Sequence, residues 1–160
     1  GVLSPLIVKP PQNWTVANKI VTAPVHVMDI MPTLVETVDA KQETVDRGRS
    51  HLAMQGISFM GVMQGGEGDA FDQRGFGSEL FGIRAYRLGK WKILKLPIPY
   101  GTGDWQLYNL SSDPGETSDL ADRFPGRVKE LSEMWNQYAS RNGVVEPDKP
   151  VFYAKPPSSR

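Results

Sequence analysis

Three polar residues in the first half of the chain have side chains that can do chemistry. His26 has the chemistry of a ligand or an acid, and Asp29 has that of a catalytic or calcium-binding carboxylate. Ser58 is a candidate nucleophile, but no base lies near it in sequence and no Gly-x-Ser-x-Gly turn surrounds it. We therefore interpret Asp29 as a helix N-cap, His26 as a hydrogen-bonded structural residue and Ser58 as structural.

The segment 65–77 is rich in glycine and carries three acidic residues. Glu67, Asp69 and Asp72 are spaced like ligands of a calcium loop. A helix–loop–helix calcium site needs ligands at positions 1, 3 and 5, and counting from Glu67 places Phe71 at the fifth position. The template fails, so we predict a mobile surface loop.

The second half of the chain carries basic and aromatic side chains that can bind anions or sugars. The basic set is Arg84, Arg87, Lys90 and Lys92. It can form a sulfate- or phosphate-binding patch, but alternation with apolar residues favours an exposed strand face with the aliphatic stems packed below it. Trp91 and Trp105 can be sugar-stacking platforms, and we interpret them as core side chains between a small sheet and a helix.

Three predicted strands must position these side chains. They cover residues 80–86, 91–96 and 105–110, with Gly89 in the tight turn between the first two. Prolines end the second strand because they lack the N–H that a sheet requires. The segment 113–116 reads Asp-Pro-Gly-Glu, which is a strong turn signal before a short helix that begins at Ser118 or Asp119.

Two helices and one further strand complete the predicted elements. Residues 3–8 form a short apolar run before two prolines, which predicts a buried strand. Asp29 opens a helix over 29–38 whose apolar stripe includes Ile30, Leu34 and Val38. Residues 125–141 show the clearest helical period, with proline at the start and Asn142-Gly143 as the stop signal.

Several of these pieces, in this order, resemble the C-terminal region of type I, formylglycine-dependent sulfatases. The matching residues in the second half are Ile83-Arg84-Ala85, Gly89 to Lys92, Trp105 to Leu110, Asp113 to Thr117 and Asp119-Leu120-Ala121. Earlier matches are Asp29, Pro32, Thr33, Leu34, Gly56, Ser58 and Gly65. Residues 1–8 resemble a strand of the family's large sheet, but Leu3 stands where the family usually carries Arg. Bacterial arylsulfatases are the most similar members, and the resemblance extends from Gly1 to about Gly143.

The resemblance implies an α+β fold, in which a small antiparallel sheet is covered by a C-terminal helix. Residues 1–40 are then the last strand and helix of the large α/β, alkaline-phosphatase-like catalytic domain. Residues 41–145 form the C-terminal sulfatase subdomain, and residues 146–160, with several prolines, form an extended tail.

The resemblance also implies a sulfuric ester hydrolase that uses formylglycine and calcium in its full-length form. Formylglycine is made from the Cys or Ser of a C/S-x-P-S-R motif, which this chain does not contain, and the chain has no cysteine. We therefore assign no catalytic, cofactor-binding or metal-binding residue here. We expect the chain alone to be inactive, with the missing N-terminal catalytic region as its partner and a sulfate ester as the substrate of the whole enzyme.

Two other readings stay open at the level of sequence. The scaffold also suits a phosphodiesterase or phosphonate monoester hydrolase. A non-catalytic carbohydrate-binding or oligomerisation module would use Trp14, Trp91 and Trp105. If the chain is isolated, we expect the 3–8 edge and the Ile30/Leu34 stripe to lack partners and to drive dimerisation or strand exchange.

Composition excludes some partner classes. Lys plus Arg and Asp plus Glu are both 18, so the formal net charge is zero and no general attraction to nucleic acid or anionic membranes follows. No apolar run is long enough to span a bilayer. Because the chain has no cysteine, cysteine usage does not distinguish the bacterial periplasm from the cytoplasm.

Overall fold

The computed structural model describes residues 4–12, 14–16, 20–41, 45–46, 48–50 and 52–146. It divides into two compact units, Gly1–Phe71 and Asp72–Arg160. The boundary near residue 40 that the resemblance implies concerns the domains of the whole enzyme, and it stays a prediction. Apart from Glu146, the predicted tail over 146–160 lies outside the described residues.

The first unit contains short elements. A 3-10 turn at Val27–Asp29 leads into helix α1 (Ile30–Thr37), and two-residue strands β1 (Val45–Asp46) and β2 (Arg49–Ser50) pair antiparallel. Helix α2 spans Met60–Met63. Phe59, Val62 and Phe71 form the buried apolar cluster of this unit.

The predicted strand over residues 3–8 is not formed in the part of it that the structure describes. Residues 4–8 have no strand conformation, and Leu6, Ile7 and Val8 are exposed. A strand is stable only where a neighbouring strand accepts and donates its backbone hydrogen bonds. In the sheets that the described residues form, every strand begins at Val45 or later, so this apolar run has no strand beside it there.

The second unit is an antiparallel sheet covered by a helix. Its strands are β3 (Gly75–Leu80), β4 (Ile83–Leu88), β5 (Trp91–Lys95) and β6 (Trp105–Asn109), in the order β3-β4-β5-β6. Each pairs antiparallel with the next. Helix α4 (Pro125–Asn142) begins with the predicted proline and ends at Gly143, whose φ of 62° is the left-handed value that favours glycine.

Strand β3 and the short helix α3 (Asp69–Asp72) replace the mobile loop that we predicted over 65–77. The glycines there are required for packing. A Cβ atom on Gly75 would lie 2.0 Å from the Tyr86 hydroxyl, and one on Gly77 would lie 2.2 Å from the Tyr138 ring. The absence of a Cβ atom at these positions lets both aromatic side chains approach the strand this closely.

The core of the second unit lies between the sheet and α4. Tyr86, Ile93 and Leu107 are paired across β4, β5 and β6, so their side chains share one face. Ile93, Leu107 and Leu131 are completely buried, and Trp135 of α4 donates its indole N–H to the Ser78 carbonyl (3.3 Å). The predicted α+β arrangement is therefore confirmed.

Candidate functional site

Asp29 and Thr33 form a buried polar junction in the first unit. The Asp29 carboxylate accepts from the backbone N–H groups of His26 (2.7 Å) and Ile57 (2.8 Å). The Thr33 hydroxyl donates to the Asp29 carbonyl (2.7 Å) and accepts from the Phe59 N–H (3.0 Å). Asp29 stands at the N-cap position of α1 but makes no side-chain bond to that helix, so the predicted capping role is corrected. Its carboxylate instead closes the preceding 3-10 turn and fixes the chain at residue 57.

Gly56 and Ser58 lie in the segment that this junction holds. A Cβ atom on Gly56 would lie 2.0 Å from the Met28 carbonyl oxygen, so only glycine allows the two backbones to approach this closely. The Ser58 hydroxyl accepts from the Met60 N–H (3.2 Å) at the start of α2. Both residues therefore have structural surroundings, and Ser58 has the bonding of a turn residue.

His26 has the structural role that the sequence predicts. The Nδ1 atom of His26 accepts from the backbone N–H of Met28 (3.3 Å), while the backbone N–H of His26 donates to the Asp29 carboxylate. The two side chains thus cap the 3-10 turn reciprocally. This reciprocal arrangement needs both residues at this spacing and accounts for their presence without catalysis.

The basic residues do not share one strand face, because Arg84 lies on the side of the sheet that α4 covers and Arg87 and Lys92 lie on the other side. Arg84 pairs with Glu146, and Arg87 donates its Nε–H to the Gly89 carbonyl (3.0 Å). Lys92 donates to both carboxylate oxygens of Glu116, at 2.6 and 2.7 Å, and is only 8% exposed. We predicted an exposed face with snorkelling side chains, and Lys92 contradicts that prediction because the turn that carries Glu116 buries it.

The turn over residues 113–120 seals the free edge of β6. Leu107 N–H donates to the Asp119 carboxylate (2.9 Å), and Leu120 N–H donates to the Leu107 carbonyl (2.8 Å). Asp113 accepts from the N–H groups of Thr117 and Ser118 (2.8 and 2.9 Å), and these bonds lower the pKa of its carboxyl. The Asp-Pro-Gly-Glu segment is therefore a turn, as predicted, but the short helix predicted to begin at Ser118 or Asp119 is not formed, because Asp119 and Leu120 bond to the edge of β6 instead.

Trp91 and Trp105 are partly buried and pack against the core of the second unit. Trp91 meets Phe124 edge-on at 5.5 Å, and Trp105 meets Trp135 at 5.9 Å. Aromatic rings held this way add packing energy to the core. The predicted core role is confirmed for both residues.

A shallow groove of about 350 Å³ lies beside Trp91. It is lined by Asp72, Gln73, Leu88, Gly89, Lys90, Trp91 and Arg127. The Lys90 ammonium and the Arg127 guanidinium lie 6.0 and 5.7 Å from the Trp91 ring centroid, and Arg127 also pairs with Glu130. The two cations therefore lie within reach of the indole ring at the groove.

The acidic residues of segment 65–77 do not assemble a metal site. Among the described residues, no three His, Asp or Glu side chains are grouped so that they could hold a metal ion. Asp69 and Asp72 are instead the first and last residues of α3. Within the described ranges, no helix has the length and apolar character needed to cross a bilayer.

Comparison with known proteins finds related sequences and similar solved structures. No family model matches the chain. The chain is 33% identical over 149 residues to an uncharacterized sulfatase of Schizosaccharomyces pombe, a match that covers 91% of this chain and 26% of that protein. The chain thus spans about a quarter of the length of the relative.

Two solved structures share the fold at lower identity. BT4656, in complex with its substrate D-glucosamine-2-N,6-O-disulfate, matches with a TM-score of 0.51 and 16% identity over 77% of this chain and 25% of its own. Ps i-CgsB, in complex with k-i-k-neocarrahexaose, matches with a TM-score of 0.57 and 19% identity over 79% of this chain and 26% of its own. Sequence identities this low show a similarity of fold alone. The fold that they share with this chain is the small antiparallel sheet with its C-terminal helix.

Proposed function

Because the chain is a sulfatase homologue over 91% of its length, we propose that it is the C-terminal part of a longer enzyme that hydrolyses sulfate esters. The reaction takes an aryl or other sulfate ester and water, and it yields a phenol or alcohol and sulfate. The observation that carries the proposal is the sequence match to a sulfatase, which spans nearly the whole chain but only a quarter of that protein.

The hydrogen bonds of the chain support a structural part in that enzyme. Its most conspicuous polar side chains serve the fold: Asp29 and Thr33 hold residues 57–59, Lys92 is bound by Glu116, and Asp119 closes the sheet edge. A side chain committed to backbone N–H groups or to a buried ion pair is poorly placed to attack sulfur or to protonate a leaving group. We therefore assign the nucleophile, the acid and the sulfate-binding cations to the region outside this chain.

Calcium and formylglycine belong to the same outside region. Formylglycine requires a Cys or Ser in its motif, which the sequence lacks, and the described carboxylates do not form a calcium site. The residues present do not fit either group, so no step of the reaction passes through them. The contribution of this chain is to present a rigid sheet and helix to the catalytic region.

The test compares the full-length protein with the 160-residue chain on an aryl sulfate, with calcium added to both. We expect release of phenol and sulfate by the full-length protein and none by the chain alone. Turnover by the chain alone would show that the catalytic groups lie within it.

A phosphodiester and a phosphonate monoester of the same phenol serve as matched substrates. The sulfatase assignment expects the full-length protein to prefer the sulfate ester by orders of magnitude in kcat/KM. A preference for either phosphorus ester would replace the sulfatase by the related hydrolase on this scaffold.

A further inference from the structure

The segment 109–111 reads Asn-Leu-Ser, which is the acceptor pattern for N-linked glycosylation. That pattern needs an asparagine, then any residue except proline, then a serine or threonine. It stands where β6 ends, because Asn109 is the last residue of that strand and Ser111 lies in the turn after it. Strand β6 is at one edge of the sheet, and Ser111 and Ser112 are exposed. The pattern therefore lies at the surface, as an acceptor site requires.

The hydrogen bonds of Asn109 leave its side-chain amide nitrogen available. The Oδ1 atom of Asn109 accepts from the Ser111 backbone N–H (3.2 Å), which closes an Asx turn. The Asn109 carbonyl accepts from the backbone N–H groups of Ser112 and Asp113 (3.2 and 2.8 Å). In the part of the chain that the structure describes, the Nδ2 atom of Asn109 donates to no acceptor. A sugar attached at Nδ2 would therefore break none of the bonds that hold this turn.

The Ser111 hydroxyl is likewise not used by the fold. Within the described ranges it makes no hydrogen bond, whereas the hydroxyl of the neighbouring Ser112 donates to the Asn109 carbonyl (3.3 Å). The turn requires an acceptor oxygen on the side chain of residue 109, which an aspartate would also supply, and only the backbone N–H of residue 111. The amide nitrogen of Asn109 and the hydroxyl of Ser111 are the two groups that the turn does not explain and that the glycosylation pattern requires.

We propose that Asn109 is a site of N-linked glycosylation and that the chain therefore passes through the lumen of a secretory compartment. The donor is an oligosaccharide joined to a lipid through a diphosphate. The Nδ2 atom forms a bond to the anomeric carbon of the first sugar, and the bond from that carbon to the diphosphate oxygen breaks. The lipid diphosphate leaves with the electron pair of that bond, and a base of the glycosyltransferase takes up the proton lost from Nδ2. This inference goes beyond the proposed sulfatase reaction and does not depend on it.

The strand pairing places an aromatic ring beside the proposed site. Asn109 and Trp91 are cross-strand partners, so their side chains share one face of the sheet with Cβ atoms about 4.5–5.5 Å apart. Both residues are partly exposed. The first sugar would therefore lie next to the indole of Trp91 and shield it from water.

The test begins with the full-length protein purified from its own cells. Trypsin cleaves after Lys95 and after Arg123, and the peptide over 96–123 contains Asn109 as its only asparagine. Removal of the glycan by peptide N-glycosidase in heavy-oxygen water converts a glycosylated asparagine into an aspartate that carries a heavy oxygen atom. We expect mass spectrometry to find this label at residue 109 in most copies.

An unlabelled Asn109 in most copies would overturn the proposal. The chain has a second pattern of the same kind, Asn13-Trp14-Thr15, whose asparagine lies outside the described residues. Label at Asn13 together with no label at Asn109 would show that the protein met the glycosyltransferase and that this site was not modified.

Substitutions in the full-length protein separate the modification from the turn. Ser111→Ala removes the hydroxyl but keeps the backbone N–H that binds Asn109, so we expect loss of the glycan with an unchanged circular dichroism spectrum. Ser111→Thr should restore the glycan, and Ser112→Ala, the matched control outside the pattern, should keep it. Asn109→Asp retains the acceptor oxygen of the turn and should also lose the glycan.

A glycan that persists in Ser111→Ala would overturn the assignment, because the modification would then not depend on the pattern. Loss of the glycan in Ser112→Ala as strong as in Ser111→Ala would overturn it as well. None of these measurements records turnover. An inactive full-length protein would therefore refute the proposed reaction and leave the glycosylation result standing.

Discussion

Replacing Asp29 tests whether this carboxylate stabilises the fold or acts as a functional acid. Asp29→Ala removes the acceptor for two backbone N–H groups, those of His26 and Ile57, at 2.7 and 2.8 Å. The bond to Ile57 joins segments 28 residues apart in the sequence. Its loss should therefore release Ile57 from the 3-10 turn, while the Thr33 hydroxyl still accepts from the Phe59 N–H.

The magnitude follows from the unsatisfied N–H groups. A buried donor left without a partner costs about 1–3 kcal/mol. Both N–H groups are only partly buried, so water can reach them after the substitution, and we expect the low end of that range for each. The total is about 2 kcal/mol, which is roughly a 30-fold change in the folding equilibrium. Asp29→Asn keeps one acceptor oxygen and should lose about half as much.

The assay is urea unfolding of the 160-residue chain, with amide hydrogen exchange at Ile57 as the local readout. Glu36→Ala is the control, since Glu36 lies on the exposed part of the same helix and should change stability little. A calcium-binding or catalytic carboxylate predicts a different pattern. In that case Asp29→Ala would leave the calcium-free chain as stable as before, or more so, and Ile57 exchange would not change. That result would refute the structural assignment.

Two further predictions concern the second unit. Lys92→Ala should cost about 3 kcal/mol in urea unfolding because it leaves the Glu116 carboxylate, whose side chain is only 17% exposed, without its cation. The double replacement Lys92→Met with Glu116→Leu should recover most of that loss. Equal losses for the single and double variants would contradict a coupled pair. Burial, and then the carboxylates of Asp119, Glu116 and Asp113, raise the pKa of Tyr108 above its usual value of about 10, so its neutral form is favoured in the folded state. The stability that this shift contributes is complete below pH 10 and is lost as the pH rises through the folded-state pKa of Tyr108. The urea midpoint of the Tyr108→Phe variant should therefore fall less steeply with rising pH than that of the unchanged chain. Equal slopes for the two proteins would contradict this prediction.

The elements with strong local signals could be predicted from the sequence. Strands β5 and β6 lie within a residue of their predicted bounds, and α4 spans Pro125–Asn142 against a prediction of 125–141. The strand predicted over 80–86 is only partly confirmed, because Phe81 and Gly82 form the turn between β3 and β4 and β4 begins at Ile83. Helix α1 also forms over the predicted stripe. In each case the signal lies within a few residues of the element that it specifies.

The features that could not be predicted depend on distant residues. Strand β3 was missed because Gly75 and Gly77 are typical of loops, and the rings that require glycine there belong to Tyr86 and Tyr138. The burial of Lys92 was missed because Glu116 comes from a turn 24 residues further along. Local alternation assigns a face to a side chain, but it does not tell what will cover that face.

The two units differ in how complete their cores are, and this difference bears on the proposed function. In the second unit, Ile93, Leu107 and Leu131 are fully buried, and the turn after β6 closes the sheet edge. In the first unit, α1 turns polar Asp29 inward and apolar Leu34 outward. Hydrophobic burial is the main force that stabilises a domain, so a unit that exposes its apolar stripe draws less stability from its own residues. The first unit, whose buried apolar cluster is Phe59, Val62 and Phe71, therefore depends less on its own apolar contacts for stability than the second unit does.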